Sequence, residues 1–231
     1  MNKQTFLTLL ATFALLFSFT FSCHAKGKDK AKHVVFIGLD GWGAYSLPKA
    51  DMPNVKKLME DGAYTLKKRS ALPSSSAINW ASMFMGAGPE LHGYTEWGSK
   101  TPELPSRVLN KNGIFPTVFQ LLRDARPEAE IGCLYEWEGI KYLVDTLSLS
   151  YHYHVADCNK TPKELGNMAS SYIKEKHPAL VAICYDGPDH TGHTAGHDTP
   201  EYYEKLKELD MYVGQIVQAV KDAGMLDDTI F

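Results

Sequence analysis

Three short segments of this 231-residue sequence carry side chains that could do chemistry. They are LDG with Asp40, SSSAIN with Ser76 and Asn79, and DHTGH with Asp189 and His193. Carboxylates and imidazoles are ligands for zinc and similar divalent ions. A serine hydroxyl at the start of a helix can act as a nucleophile, because the helix N-terminus favours negative charge. Together these residue types favour metal-assisted chemistry on an anionic substrate.

Two of these segments follow apolar runs that are typical of strands buried on both faces. His33–Leu39 leads into Asp40, and Ala179–Tyr185 leads into the segment with Asp189 and His193. Open α/β sheets bind ligands at the carboxyl ends of their strands, so we expect these side chains to meet there. The glycines of the longer stretch Tyr185–His197 let it fold as a tight loop in which Asp189 and His193 share one ion. The simpler alternatives are a turn aspartate and a polar loop with incidental histidines.

The serine segment precedes an apolar run that predicts a helix over Ala77–Gly86. With that boundary Ser76 is the N-cap, next to the unpaired N–H groups of the first turn. These groups and the helix dipole stabilise an anion and favour ionisation of the hydroxyl. Asn79, one turn on, can donate to a developing negative oxygen. Ser74 and Ser75 then form the approach to the helix. The alternative is an ordinary serine cap with a surface asparagine.

The rest of the chain alternates between helical and strand patterns. Further helices are predicted at Pro53–Asp61, Pro116–Ala125, 161–176 and 199–224, and a further strand at Glu130–Tyr135. This alternation predicts an α/β sandwich of helices around a mostly parallel central sheet. Residues 92–115 and 136–160 are expected to be irregular loops. The last two residues are expected to begin another buried strand.

The first 25 residues predict a signal peptide. The stretch Thr5–Phe21 is almost wholly apolar, and small residues give a cleavage site after Ala25. Lipid anchoring at Cys23 is the alternative, and both readings export the protein, to the periplasm or beyond the cell. Residues 26–32 are expected to be a basic linker. Residues 33–231 are long enough for one domain with a buried core.

The composition argues against several partners. The net charge is −3 and basic residues are scattered, so a nucleic-acid duplex is not an expected partner. No second long apolar segment follows the signal peptide, so no transmembrane segment is expected after its removal. Cys133 and Cys158 are a candidate disulfide that the sequence leaves open. Cys184, inside the apolar run ALVAIC, is expected to be a core thiol.

The order and spacing of the segments resemble the alkaline phosphatase superfamily, most of all its type I phosphodiesterase/nucleotide pyrophosphatase branch. The resemblance covers residues 33–231 and rests on GLDG around Asp40, the serine and asparagine three residues apart, GAGPELHG at 86–93, and DHTGH. It implies an alkaline-phosphatase-like sandwich that hydrolyses a small-molecule phosphate ester. Ser76 is then the nucleophile, and Asn79 stabilises the phosphate oxygens.

The resemblance also implies two divalent metal ions, zinc or else manganese or magnesium. Asp40 and Ser76 match residues of one metal site, and Asp189 and His193 match residues of the other. His197 matches no ligand of the family.

Other polar and aromatic residues are expected to have supporting roles. His92 is expected to be a structural loop residue, and Asp210 to make a buried hydrogen bond. Six aromatic residues of the loop regions could stack on the leaving group of a substrate or pack within the loops. They are Tyr94, Trp97, Tyr135, Trp137, Tyr151 and Tyr153.

In the family, a later Asp-His-Gly segment and a further histidine complete the two metal sites. The sequence ends at Phe231 without them, so we expect that the C-terminal part of the domain and the second half of the ligand set are missing here. One alternative is a truncated or degenerate homologue that binds ligands at the cell surface without catalysis. Another is a phosphomonoesterase of the same superfamily. A sulfatase is excluded, because Ser76 lacks the Cys/Ser-x-Pro-x-Arg context.

Overall fold

The computed structural model describes residues 31–156 and 162–231. In this part of the chain five strands form one sheet: β1 (His33–Leu39), β2 (Ile131–Tyr135), β3 (Tyr151–His154), β4 (Leu180–Tyr185) and β5 (Thr229–Ile230). Their order is β3-β2-β4-β1-β5, and every neighbouring pair is parallel. The predicted α/β class with a mostly parallel sheet is confirmed. The expected strand at the end of the sequence is β5, which pairs with the start of β1.

Helices connect and cover the strands. They are α1 (Pro53–Asp61), α2 (Ser76–Met85), α3 (Pro89–His92), α4 (Val118–Ala125), α5 (Pro162–Lys176), α6 (Gly187–Ala195) and α7 (Pro200–Asp222). The helix predicted at Pro53–Asp61 has the observed bounds, and the other predicted helices differ by one or two residues at their ends. Frayed ends and caps make such boundaries the least certain part of a sequence pattern.

Two elements were wrongly predicted as loops. Strand β3 lies within the region 136–160 and pairs only with β2, at the edge of the sheet. Its four residues, YHYH, are too few and too polar to stand out as a buried strand. The DHTGH segment is helix α6 rather than a tight loop. Its glycines and threonines are weak helix formers and obscure the helix in the sequence.

Both faces of the sheet are buried under helices. On one face, Trp80 and Phe84 of α2 pack with Phe119 of α4 over the strands. On the other face, α5 and α7 pack together, with buried side chains that include Ile173 and Leu209. This double cover explains the continuous apolar sequence of β4, whose six residues are all buried, whereas Val35 is the one fully buried residue of β1.

A buried carboxylate on α7 holds the start of α1. Asp210 is 1% exposed, and its Oδ1 accepts a hydrogen bond of 2.8 Å from the backbone N–H of Val55. Its Oδ2 accepts from the backbone and side-chain nitrogens of Asn54, at 3.0 and 2.8 Å. The N-cap residue Met52 offers no side-chain cap, so a residue far away in the sequence supplies it. The predicted buried hydrogen bond of Asp210 is confirmed.

Several predictions fall partly outside the described residues. The expected signal peptide of residues 1–25 lies there, and so does Cys158 of the candidate disulfide. Cys133 and Cys184 are buried free cysteines on adjacent strands. Within residues 31–156 and 162–231, no helix has the length and apolar character that crossing a membrane requires.

Candidate active site

Asp40 and Asp189 lie together at the carboxyl edge of the sheet. Strands β1 and β4 are neighbours, and Leu39 stands opposite Tyr185, so the chain leaves both strands at the same level. Gly41 has a φ of +68°, and a Cβ atom there would lie 2.5 Å from the Cα of Asp189. Only glycine permits this approach, because any side chain would collide with the backbone of α6.

Two hydrogen bonds orient the carboxylate of Asp40. Its Oδ1 accepts from the backbone N–H of Gly41 at 2.9 Å. Its Oδ2 accepts from the indole Nε1 of Trp80 at 2.9 Å. Because Trp80 lies about one turn beyond Ser76 on α2, this second bond connects the end of β1 to the helix that carries the serine.

Helix α2 begins at Ser76, one residue earlier than predicted, and Ser75 rather than Ser76 is the N-cap. Ser75 is extended, with φ −149° and ψ 165°, and its side chain makes no capping bond. Its Oγ is buried and has no hydrogen-bond partner among the described residues. Ser76 is half-buried in the first turn, where backbone N–H groups lack partners within the helix.

The side chain of Asn79 is bound to the segment before the helix. Its Nδ2 donates to the carbonyl oxygen of Ser75 at 3.0 Å, and its Oδ1 accepts from the backbone N–H of Ala71 at 2.8 Å. The expected donation to a substrate oxygen therefore competes with bonds that hold residues 71–75 in place. In this structure Asn79 acts on Ser76 by fixing the chain that leads into it.

Asp189 and His193 are one turn apart on α6 and face the same way. The Nε2 of His193 lies 3.3 Å from the Oδ2 of Asp189. Burial raises the pKa of Asp189, and the negative charge of Asp40 raises it further. The neighbouring histidines lower it. Two like-charged carboxylates are thus held close together, with an imidazole beside one of them.

All five candidate residues line one cleft of about 1060 Å³. The cleft continues into a second space of about 480 Å³, and Ser76, Asp189 and His193 line both. His197 also lines the first cleft, where its ring lies 5.2 Å from that of Tyr202.

The aromatic residues noted in the sequence divide into two groups. Tyr94 and Tyr135 are buried in the core, and Tyr151 and Tyr153 belong to β3. Trp97 and Trp137 instead form a tilted pair, with ring centroids 6.3 Å apart, beside Ser76 in the second space.

The structure also clarifies two residues with supporting roles. His92 is fully buried, its Nε2 lies 3.1 Å from the Oγ of Ser82, and its Nδ1 accepts from the backbone N–H of Tyr94. A structural role was expected for it, but His92 is the last residue of helix α3 rather than a loop residue. Glu136, at the end of β2, was not predicted, although it is 4% exposed and contacts the start of α6. The segment EWEG has two acidic residues, and nothing in the sequence indicates that the first of them is buried.

The donors in the cleft fit divalent ions in chemical type. Asp40 and Asp189 repel each other unless a cation lies nearby, and carboxylate oxygen with imidazole nitrogen suits zinc. Among the described residues, however, no group of three His, Cys, Asp or Glu side chains converges on one point.

The fold and the cleft define an α/β protein with a polar site at the carboxyl edge of a parallel sheet. The family model described as type I phosphodiesterase/nucleotide pyrophosphatase matches residues 34–231. The chain belongs to this family, and hence to the alkaline phosphatase superfamily. The superfamily and the branch expected from the sequence motifs are both confirmed.

Individual relatives agree with this family. The chain is 23% identical over 201 residues to ectonucleotide pyrophosphatase/phosphodiesterase family member 1 of Mus musculus, covering 83% of this chain and 22% of the relative. It is 29% identical over 86 residues to GPI ethanolamine phosphate transferase 3 of Schizosaccharomyces pombe. That match covers 37% of this chain and 9% of the relative. An inactive variant of murine ectonucleotide pyrophosphatase/phosphodiesterase 5 in complex with AMP has a similar fold, with a TM-score of 0.65 and 18% identity. That match covers 87% of this chain and 55% of the solved chain.

Proposed function

We propose that the protein is an exported, metal-dependent phosphoric ester hydrolase of the phosphodiesterase/nucleotide pyrophosphatase type, with Ser76 as its nucleophile. One observation carries the proposal: Ser76 lies in the first turn of a helix and lines the same cleft as Asp40, Asp189 and His193. A hydroxyl at a helix N-terminus beside metal-type ligands suits attack on a phosphate group.

The assignment of the metal ligands is taken from the family resemblance. Asp40 and Ser76 would hold one ion, and Asp189 and His193 the other. Zinc is favoured because a histidine takes part, with manganese or magnesium as alternatives. When bound, two such ions supply positive charge that neutralises the phosphate and promotes ionisation of the nucleophile.

The residues of this chain position the serine for an in-line reaction. The Oγ of Ser76 would give its proton to solvent water and form a bond to phosphorus, while the bond from phosphorus to the leaving oxygen breaks and that oxygen takes up a proton from water. The dipole of α2 stabilises the phosphate bound at its first turn. Water then cleaves the phosphoseryl bond and frees the serine. Asn79 holds residues 71–75 so that the serine hydroxyl keeps its direction, and we retain its amide as a candidate donor to the phosphate.

The substrate is proposed to be a small phosphate ester with a planar leaving group. The solved relative that binds AMP supports a nucleotide. Trp97 and Trp137 offer ring faces on the side of Ser76 that leads into the second space. Aromatic rings bind nucleobases and aryl groups by stacking.

Export is proposed from the predicted signal peptide of residues 1–25, with lipid anchoring at Cys23 as the alternative. The murine relative is by its name an ectoenzyme, which agrees with export.

Hydrolysis assays with aryl phosphates test the proposal. We expect the protein to cleave a bis-aryl phosphate faster than a mono-aryl phosphate, to lose activity in EDTA, and to regain it with Zn²⁺. Ser76→Ala should lower the rate by at least about 10³-fold, because it removes the nucleophile. Ser171→Ala, which changes an exposed serine of α5 that lines neither space, is the matched control.

The other outcomes identify the alternatives. A preference for the mono-aryl ester would indicate a phosphomonoesterase. Binding of Zn²⁺ with no hydrolysis of either ester would indicate a degenerate homologue. Equal activity of Ser76→Ala and the native protein would contradict the assigned nucleophile.

A further inference from the structure

Glu136 occupies the junction between β2, β4 and helix α6. It follows the last residue of β2, and its backbone N–H donates to the carbonyl oxygen of Cys184 at 3.1 Å. Only 4% of the residue is exposed. A carboxylate rarely stays buried without partners, because its ionised form loses the stabilisation of water.

The carboxylate of Glu136 caps the start of α6 in place of the side chain of the N-cap residue. Its Oε2 accepts a hydrogen bond of 2.7 Å from the backbone N–H of Asp186, the N-cap residue, and it also interacts with the backbone N–H of Gly187. The side chain of Asp186 does not cap this helix. The Oε1 of Glu136 is buried and has no hydrogen-bond partner among the described residues. Negative charge at this position is stabilised by the unpaired N–H groups and the dipole of the helix.

Helix α6 is short, and both candidate metal ligands lie on it. Asp189 is one turn beyond Asp186, and His193 is one turn beyond Asp189. The helix also packs against α7 and the end of β1, but Glu136 is the side chain that holds its first turn and therefore helps to set the direction of Asp189 and His193.

We propose that the ionised carboxylate of Glu136 is a positioning residue, which holds the first turn of α6 and thereby aims Asp189 and His193 at a shared divalent ion. The inference rests on the proposed function for the metal ion. The effect of Glu136 on the helix, however, does not require a metal ion. Groups that orient metal ligands typically contribute about 10- to 100-fold to metal affinity.

This role makes the helix sensitive to pH. Burial raises the pKa of Glu136 to about 7, so the carboxylate is charged above that value and protonated below it. The backbone N–H bonds and the charge of Lys205 on α7 lower the pKa, whereas the charge of Asp186 raises it. The other titratable groups that face Glu136 are Cys184 and Tyr185 of β4, and His154 of β3, whose Nε2 lies 2.9 Å from the backbone carbonyl oxygen of Glu136. The hold on α6 is therefore expected to weaken as the pH falls through 7.

Zinc titrations at two pH values provide the first test. Glu136→Gln keeps the shape of the side chain and removes its charge. We expect its Zn²⁺ affinity to be about tenfold weaker than that of the native protein at pH 8, and within about twofold at pH 6. The ratio of the two Zn²⁺ affinities at each pH removes the effect of ligand protonation, because the variant and the native protein have the same metal ligands. Glu138→Gln removes an exposed charge two residues on and should leave the affinity unchanged.

Amide hydrogen exchange without metal provides the second test. In Glu136→Gln the amides of Asp186 and Gly187 should exchange at least about fivefold faster at pH 8, while those of α5 stay unchanged. A Zn²⁺ affinity ratio equal at both pH values, or unchanged exchange, would overturn the inference. If the native protein bound no Zn²⁺ but exchange still accelerated in the variant, the proposed function would fail while the hold of Glu136 on α6 would stand.

Discussion

The indole Nε1 of Trp80 donates a hydrogen bond of 2.9 Å to the Oδ2 of Asp40. This single contact joins the helix that begins at Ser76 to the strand end that carries the carboxylate. Gly38 makes room for it, since a Cβ atom there would lie 2.2 Å from the indole ring. The proposed nucleophile and its candidate metal ligand are thus linked through a core tryptophan.

Replacing Trp80 with phenylalanine should therefore affect activity as well as stability. The variant keeps an aromatic ring in the core but loses the only side-chain donor to Asp40 among the described residues. We expect about a tenfold loss of Zn²⁺-dependent hydrolysis, the lower end of what orienting groups contribute. Steady-state kinetics with a bis-aryl phosphate measures it.

Phe84→Leu is the matched control for this prediction. Phe84 packs against Trp80 in the same core but makes no hydrogen bond to the cleft. It should lower stability by about 1 kcal/mol and leave kcat/KM of the folded protein unchanged. An equal loss of activity in both variants would mean that packing, rather than the bond to Asp40, decides the rate.

Asp189→Asn should stabilise the protein in the absence of metal. Because burial and the charge of Asp40 raise the pKa of Asp189, its ionised form destabilises the folded state at neutral pH. Thermal unfolding in EDTA at pH 8 should give a higher Tm for the variant than for the native protein. The difference should shrink toward pH 4, as the native carboxyl becomes protonated in the folded state.

Added Zn²⁺ should reverse this order at pH 8, because only the native protein gains stability from binding the ion. Glu128→Gln, which neutralises an exposed carboxylate outside the cleft, should change neither Tm nor its response to Zn²⁺. A lower Tm for Asp189→Asn in EDTA at pH 8 would refute the repulsion between the two carboxylates.

Trp97→Ala should weaken substrate binding without changing the chemical step. Its side chain is 65% exposed and stands beside Trp137 at the cleft, so its removal should cost little stability. Loss of a stacking ring should raise KM for an aryl or nucleotide ester about tenfold and leave kcat within about twofold. Tyr64→Ala, at an exposed tyrosine that does not line the cleft, is the control. An unchanged KM would argue against stacking on Trp97.

Asp210→Ala should destabilise the fold. It would leave buried N–H groups at the start of α1 without an acceptor, at a cost of about 2–3 kcal/mol in the free energy of unfolding. Asp210→Asn, which keeps one acceptor oxygen, should cost less. Urea denaturation measures both, with the exposed Glu204→Ala on the same helix expected to stay within about 0.5 kcal/mol of the native protein. If Asp210→Ala were as stable as Glu204→Ala, the capping role would be wrong.

The sequence predicted the centre of the fold well and its edges poorly. Strand β1 has the predicted bounds, because its residues form one continuous, largely apolar run. Strand β3 and helix α6 were missed, because an edge strand of alternating tyrosine and histidine and a helix rich in glycine carry weak local signals. The shift of the N-cap from Ser76 to Ser75 is one residue, yet it decides which hydroxyl stands in the first turn.

The sequence by itself determined the family, the order of the chemical groups and the edge of the sheet where they emerge. Those properties depend on residue types and on neighbours along the chain. The tertiary structure alone decided that Asn79 holds the loop, that Trp80 binds Asp40, and that Glu136 and Asp210 hold helices to which they do not belong. Each of these contacts joins residues whose relative position depends on packing, and the charge of a buried carboxylate depends on what the folded chain places around it.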